Sequence, residues 1–190
     1  MNMGLIILII VIVIIVLWFI ATYNSLVSLR NSVKTQFSQM DVQLKRRADL
    51  IPNLVETVKG YAKHESDTLE KVVQARNAYA SATTPEDKIK SSNELSGLVN
   101  KLLLLQEAYP DLKANTNFIQ LQNDLKDTED KISNSREFYN TTVLSYNNKV
   151  QTVPSNIVAS LCKFKEEPLF EANETDREAP KVSFDDKKEA

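Results

Sequence analysis

The feature that most constrains this chain is an unbroken apolar run near its N-terminus. Residues 5–21 read LIILIIVIVIIVLWFIA, and with Gly4 and Tyr23 the run is long enough to cross a hydrocarbon core of about 30 Å as a helix. Trp18 and Tyr23 lie towards its C-terminal end, where amphipathic rings favour the headgroup level. We predict that residues 1–23 are a transmembrane anchor. A buried helix of a soluble protein is the alternative, which the length and uniform apolarity of the run disfavour.

The charges flanking the run indicate how the chain is inserted. The leader MNMG has no Lys or Arg, whereas a cleaved secretory signal needs a positive leader and a small-residue cleavage site. Arg30 and Lys34 follow the run, and basic residues near a span prefer the cytoplasmic side. We therefore expect a single-pass protein of the cell membrane, with its N-terminus outside and its bundle cytoplasmic. The opposite orientation stays open, because two charges are few and large domains can translocate regardless of charge.

Composition narrows the class of the remaining chain. Three glycines and six prolines provide little turn chemistry for an all-β fold, so we expect an all-α protein. A formal net charge of −2 provides no positive field for nucleic acid. One cysteine, Cys162, and one histidine, His64, exclude an internal disulfide and a multi-histidine metal site. We predict no catalytic residue, cofactor, metal or small-molecule substrate.

Apolar residues spaced by three and four predict the helices of a bundle over residues 24–152. A second helix is expected to start at Thr84-Pro85, since threonine caps and proline suits the first helical position, and to end before Pro110. The short turn there makes the following helix an antiparallel neighbour. The stripe of the first element is Leu26, Leu29, Val33, Phe37, Met40, Leu44, Ala48, Ile51, Val55, Val58, Ala62, Leu69 and Val72.

Pro52 leaves two architectures open. Proline inside a helix costs about 3 kcal/mol unless the helix kinks or begins again, and Asp49 could cap a new helix there. A break at Pro52 would give an antiparallel up-and-down four-helix bundle. A continuous first helix would give three long helices, and its membrane-proximal stripe would then need a partner in another molecule.

The C-terminal part divides into two segments. Ile157, Leu161 and Phe164 are among the apolar residues that predict a short helix and an arm over residues 153–172, docking on the bundle. Contact with the membrane surface is the alternative, which the acidic Glu166-Glu167 pair makes less attractive. Residues 173–190 are polar and charged, so we expect them to be a disordered tail.

Two sequence blocks resemble a known family. DVQLKRRADLIPNLV (residues 41–55) together with AYPDLKAN (residues 108–115) is similar to the signature of the bacterial LemA family, and the resemblance covers nearly all of residues 23–172. It implies a membrane-anchored helical bundle, usually of four helices, with no established enzymatic activity or cofactor. Cys162-Lys163 departs from the family pattern, which commonly has a Phe-Gly pair before the C-terminal arm.

One segment of the first element carries a candidate partner-binding surface. Lys45, Arg46 and Arg47 form a compact basic cluster that could bind an acidic partner or lipid headgroups, although such runs are usually solvated. Asp41 and Asp49 complete the surface. Asp41 is expected either to be solvated beside Lys45 or to pair across the bundle.

Other motifs do not support catalysis. His64-Glu65 begins like a zinc-protease motif, but the second histidine would fall at Thr68. Cys162 lies among apolar residues that would raise the pKa of its thiol, so it reads as a packing residue. We expect a membrane-tethered scaffold or interaction protein of the bacterial envelope that contacts an unidentified protein or self-associates. A regulatory subunit or adaptor of a membrane enzyme, protease or transporter is the alternative.

Overall fold

The all-α prediction is confirmed. The structure, a computed structural model, describes residues 2–170, and within them every regular element is helical. The tail predicted over residues 173–190 lies outside the described residues. The helices are α1 (Met3–Lys59), α2 (Ser66–Ser81), α3 (Pro85–Leu104), α4 (Pro110–Lys113), α5 (Thr116–Gln151) and α6 (Ser155–Leu161), with a 3₁₀ turn at Leu105–Glu107.

α1 carries the apolar run and continues without a break into the bundle. Its N-terminal part is a candidate membrane span, and the side chains of this part are exposed because no other element packs on them. The continuation runs through Pro52, so of the two alternatives for this proline the continuous helix is correct and the break is wrong. Pro52 lies on the exposed face of the helix, while Ile51 and Leu54 beside it are buried. Packing of these neighbours offsets the hydrogen bond that proline cannot make.

The first element breaks eight residues later, at Gly60. The helix ends at Lys59, and a turn of residues 60–65 leads into α2, which folds back along α1. Glycine is a poor helix former, which suits the end of α1. We call residues 60–65 the elbow, and Ala62 within it is fully buried and packs on the core. A continuous α1 and a four-helix bundle therefore coexist, an architecture that neither alternative for Pro52 described.

The starts of α3 and α5 follow the capping chemistry of the sequence. Thr84 Oγ1 accepts a hydrogen bond from the Asp87 amide at 3.1 Å, and Pro85 occupies the first position of α3. Asn115 Oδ1 accepts from the Phe118 amide at 2.9 Å and caps α5. Each cap satisfies an amide that has no partner within its helix.

Two antiparallel pairs, α1 with α5 and α2 with α3, make up the bundle. Arg47 bonds to Glu129 across the first pair, and the ring of Phe37 meets that of Tyr139 with centroids 5.7 Å apart. Phe37 lies ten residues before Arg47 on α1, and Tyr139 lies ten residues after Glu129 on α5. The two helices therefore keep a constant register between these two contacts. α1 and α5 continue towards the membrane beyond the end of α2 and α3.

The membrane-proximal stripe is covered within the same molecule. α6 packs on both α1 and α5, and Leu26 and Val33 of α1 are buried. The arm that follows α6 returns along α5, and four α5 side chains hold its backbone carbonyls. These bonds run from Tyr146 Oη to Lys165 O, Asn147 Nδ2 to Glu167 O, Tyr139 Oη to Pro168 O and Asn140 Nδ2 to Phe170 O, all within 2.8–2.9 Å. The stripe does not need a second molecule.

Candidate functional site

The five residues of the predicted surface lie in the middle of α1, but they point in different directions. Successive residues of an α-helix are turned by about 100° about its axis, so a run of three basic residues cannot share one face. Lys45, Arg46 and Asp49 are exposed, Asp41 is half-buried and Arg47 is buried.

Arg47 is not part of the surface, which corrects the reading of the basic cluster. Its side chain is 2% exposed and crosses the bundle core. Nη2 donates to the carbonyl and the hydroxyl of Ser92 at 2.9 and 2.6 Å, and Nη1 donates to Ser96 Oγ. Nη1 also bonds to Glu129 Oε2 at 2.9 Å, so Arg47 ties α3 and α5 to α1.

Burial sets the electrostatics of this buried arginine. Desolvation lowers the pKa of the Arg47 guanidinium, while the charge of Glu129 and its hydrogen bond oppose that shift. Arginine keeps its charge even so, since its ordinary pKa is far above neutrality. Arg47 is therefore a charged structural bridge, and Ser92 supplies the buried acceptors that a buried charge requires.

Asp41 also pairs across the bundle. Its carboxylate accepts from Lys88 Nζ at 2.6 Å and from Tyr79 Oη at 2.9 Å, so it links α1 to α3 and α2. Burial first, and then the bond to Asp41, raises the pKa of the Tyr79 phenol. The paired alternative for Asp41 is therefore correct, although its partners are Lys88 and Tyr79 and not the neighbouring Lys45.

Arg46 points to the other side of α1. Its guanidinium lies 3.7 Å from Asp127 of α5, and both side chains are about half exposed. Asp127 also accepts from Lys131 at 2.8 Å, and that bond, followed by the nearby positive charges, lowers the pKa of the Asp127 carboxyl. Exposed pairs of this kind contribute little to stability.

A polar cleft lies where α1 meets α2 and the start of α3. It has a volume of about 390 Å³, and it brings together three of the five predicted residues, Asp41, Lys45 and Asp49. α2 and α3 add the charged side chains of Arg76 and Lys88. We call this the polar cleft. Lys45 and Asp49 are exposed, and neither forms an ion pair within residues 2–170.

Local sequence does not predict that Arg76, Tyr79 and Lys88 belong to this cleft. They reach the cleft because the chain folds back at Gly60, whereas the four-helix alternative placed that return at Pro52. A second feature depends on the same elbow: an apolar groove of about 540 Å³ lined by Val55, Lys59, Ala62, Lys63, Ser66, Leu69, Glu70 and Val73.

The residues considered for metal or nucleophilic chemistry lie apart from the polar cleft. His64 is exposed in the elbow, and Cys162 is half-buried at the end of α6. Across residues 2–170 no three His, Cys, Asp or Glu side chains are grouped so that they could hold a metal ion. The polar cleft presents charges and hydrogen-bonding groups held between three helices.

The chain is similar in sequence to several known proteins. Protein LemA of Metamycoplasma hominis is 27% identical over 163 aligned positions, covering 84% of this chain and 73% of the relative. Magnetosome protein MamQ 2 of Paramagnetospirillum magneticum is 24% identical over 186 aligned positions, covering 82% and 68%. MamQ of Magnetospirillum gryphiswaldense is 22% identical, covering 78% and 64%. The model of the LemA family matches residues 36–184, which include the polar cleft, the elbow and α6, and the chain therefore belongs to the LemA family.

Proposed function

We propose that this LemA-family chain is a non-enzymatic, membrane-anchored interaction protein of the bacterial envelope. One observation carries the proposal: the polar cleft is built on the same uninterrupted helix as the apolar span. A cleft so placed holds a bound protein beside the membrane. The non-enzymatic role is supported by the internal pairing of Asp41 and Arg47, since both groups are engaged in packing bonds.

The charges of the polar cleft favour an acidic protein surface as the partner. Asp41 and Lys88 neutralise each other, which leaves two positive side chains, Lys45 and Arg76, and one negative side chain, Asp49. Lipid headgroups are too far away to bind there. Lys45 follows Tyr23 by 22 residues, or about 33 Å of helix, which exceeds the depth of a headgroup layer.

Capture from gently solubilised membranes, with the anchor intact, tests this proposal. Reversing two charges with Lys45→Glu and Arg76→Glu should abolish capture, because it turns attraction into a repulsion of several kcal/mol. The free energy of unfolding should change by no more than about 1 kcal/mol, since Lys45 is exposed, Arg76 is half-buried and neither forms an ion pair within residues 2–170. A matched control, Lys71→Glu with Lys101→Glu, reverses two exposed charges elsewhere. Retention of the same partner by both double variants would remove the polar cleft from the proposal.

The identity of the captured protein separates the two roles. A reproducible enzyme, protease or transporter would favour a regulatory subunit or adaptor. Capture of this chain alone would favour a self-associating scaffold.

We also propose that the bundle faces the cytoplasm, on the strength of Arg30 and Lys34 after the span. Thr83 is exposed in the loop between α2 and α3, so Thr83→Cys in a Cys162→Ser background provides a reporter thiol. A membrane-impermeant thiol reagent should label it only after the cells are opened. Labelling in intact cells would place the bundle outside.

A further inference from the structure

α6 is apolar on two opposite sides. Val158 and Ala159 face the bundle and are buried. Val153, Ile157 and Leu161, spaced by four residues, point outwards and are 79, 62 and 71% exposed. Ile157 and Leu161 lie on one side of α6, because residues four apart in a helix share a side. Val153 is exposed in the turn just before the helix. We call these three residues the apolar edge. An edge of this kind marks a contact that the isolated chain does not make.

The register of the bundle places α6 at the membrane end. α5 runs towards the membrane, and the constant register puts its last residue, Gln151, level with Ser25 of α1. α6 follows Gln151. Thr22 lies a further turn towards the span, yet it is only 6% exposed, and Phe19 is partly buried against the core. Because α6 packs on α1, it covers the helix at the point where the apolar run ends.

Contacts of Phe164, just after α6, fix the same level. The centroid of its ring lies 5.7 Å from that of Tyr23, and the Arg30 guanidinium lies 5.0 Å from it on the ring face. Beyond Phe164 the arm turns away from the membrane along α5 as far as Asn140, which bonds to Phe170. α6 is therefore the part of the segment after α5 that lies nearest to the membrane.

We propose that α6 rests in the interface of the same bilayer that α1 crosses, with Val153, Ile157 and Leu161 inserted at the boundary between headgroups and acyl chains. Short apolar edges bind there by removing their surface from water. Lys163 is exposed two residues after Leu161 and suits anionic headgroups.

The acidic pair that counted against membrane contact is displaced from the apolar edge. The amide of Glu167 donates to Asn147 Oδ1 at 2.9 Å. Asn147 lies four residues before the end of α5, about 6 Å from Gln151 towards the bundle. Glu166 and Glu167 therefore lie on the aqueous side of α6.

The inference rests on the anchor of the proposed function, so its test measures both. The full chain, in a Cys162→Ser background, is reconstituted in nanodiscs of phosphatidylcholine and phosphatidylglycerol. A fluorophore is attached at Ile157→Cys, at Ile14→Cys within the span, or at Leu104→Cys. Leu104 is 65% exposed at the far end of α3 and serves as the aqueous control. Quenching is measured with nitroxide lipids, whose label is near the top of the acyl chain, and with aqueous iodide.

The expected result is lipid quenching at positions 14 and 157 with weak iodide quenching at both, and the reverse at position 104. Lipid quenching at position 14 together with iodide quenching at position 157 would keep the anchor and overturn the interfacial position of α6. Loss of lipid quenching at position 14 would overturn the anchor and this inference together. Disulfide dimers of Ile157→Cys, protected from both quenchers, would assign the edge to a second copy of the chain and so also refute the bilayer contact.

Discussion

Replacement of Arg47 by alanine should destabilise the bundle far more than the same change at Arg46. The two residues are adjacent in sequence and have the same charge, so they form a matched pair. Arg47 is buried and bonded to α3 and α5, whereas the Arg46 pair with Asp127 is 3.7 Å long and half exposed.

The magnitude follows from what Arg47→Ala removes. Two buried methylenes contribute about 0.8 kcal/mol each. The bonds to Ser92 add roughly 1.5–3 kcal/mol each before the desolvation of the guanidinium is subtracted. The bond to Glu129 adds little, because that carboxylate is 46% exposed and water can replace the arginine. The expected loss is about 2–4 kcal/mol, against less than about 0.5 kcal/mol for Arg46→Ala.

Urea unfolding of the full chain in detergent, followed by circular dichroism at 222 nm, measures both values. Arg47→Lys adds a further check. A lysine ammonium cannot donate to Ser92 and Glu129 at once, so it should recover only part of the loss. Equal losses for Arg46→Ala and Arg47→Ala, or a full recovery with lysine, would refute the bridge.

Three further outcomes are expected. Burial raises the pKa of Tyr139 to about 12, so the phenol ionises first in the unfolded chain, and the free energy of unfolding should fall as the pH rises from about 10 to 12. Tyr139→Phe should make that fall less steep when unfolding by urea is measured across this pH range. An unchanged slope would contradict a contribution from Tyr139. Asn147→Ala removes both bonds to the Glu167 backbone and should speed proteolysis of the arm while α5 stays helical by circular dichroism; cleavage at the parent rate would show that these bonds do not hold the arm. Thr84→Ala removes the cap on the Asp87 amide and should lower the free energy of unfolding by about 1 kcal/mol, with Thr84→Ser close to the parent.

Helical periodicity predicts most of the core face of the first element, although the buried Leu54 lies outside the predicted stripe. Ten of the thirteen predicted stripe residues of the first element are buried, and the other three, Leu29, Phe37 and Val55, pack partly buried against the core. This succeeds because the three-four spacing is itself the geometry of one helix face. The chemical identity of a side chain need not be known for that inference.

Both alternatives for the first element depended on Pro52, whereas the helix ends at Gly60. The signal was present in the sequence: the stripe steps from Ala62 directly to Leu69, and Gly60 stands just before that gap. Pro52 costs a hydrogen bond, but buried neighbours on both sides hold the helix together.

The pairing of the site residues could not be predicted from local sequence. Arg47 finds Ser92 at a separation of 45 residues and Glu129 at 82. A run of basic residues shows only that positive charge is concentrated there. Whether each side chain is buried or exposed depends on which helices surround it. Only the fold distinguishes Arg46 from Arg47.

The continuity of α1 also sets a fixed phase between the span and the polar cleft. Lys45 follows Trp18 by 27 residues, which is about 7.5 turns and about 40 Å of helix. The two side chains therefore lie on opposite sides of one rod. Rotation of the span about its axis turns the cleft through the same angle, and a tilt of the span carries the cleft sideways over the bilayer. A partner bound in the polar cleft would therefore be oriented by the lipid-facing residues of the span, which it does not contact.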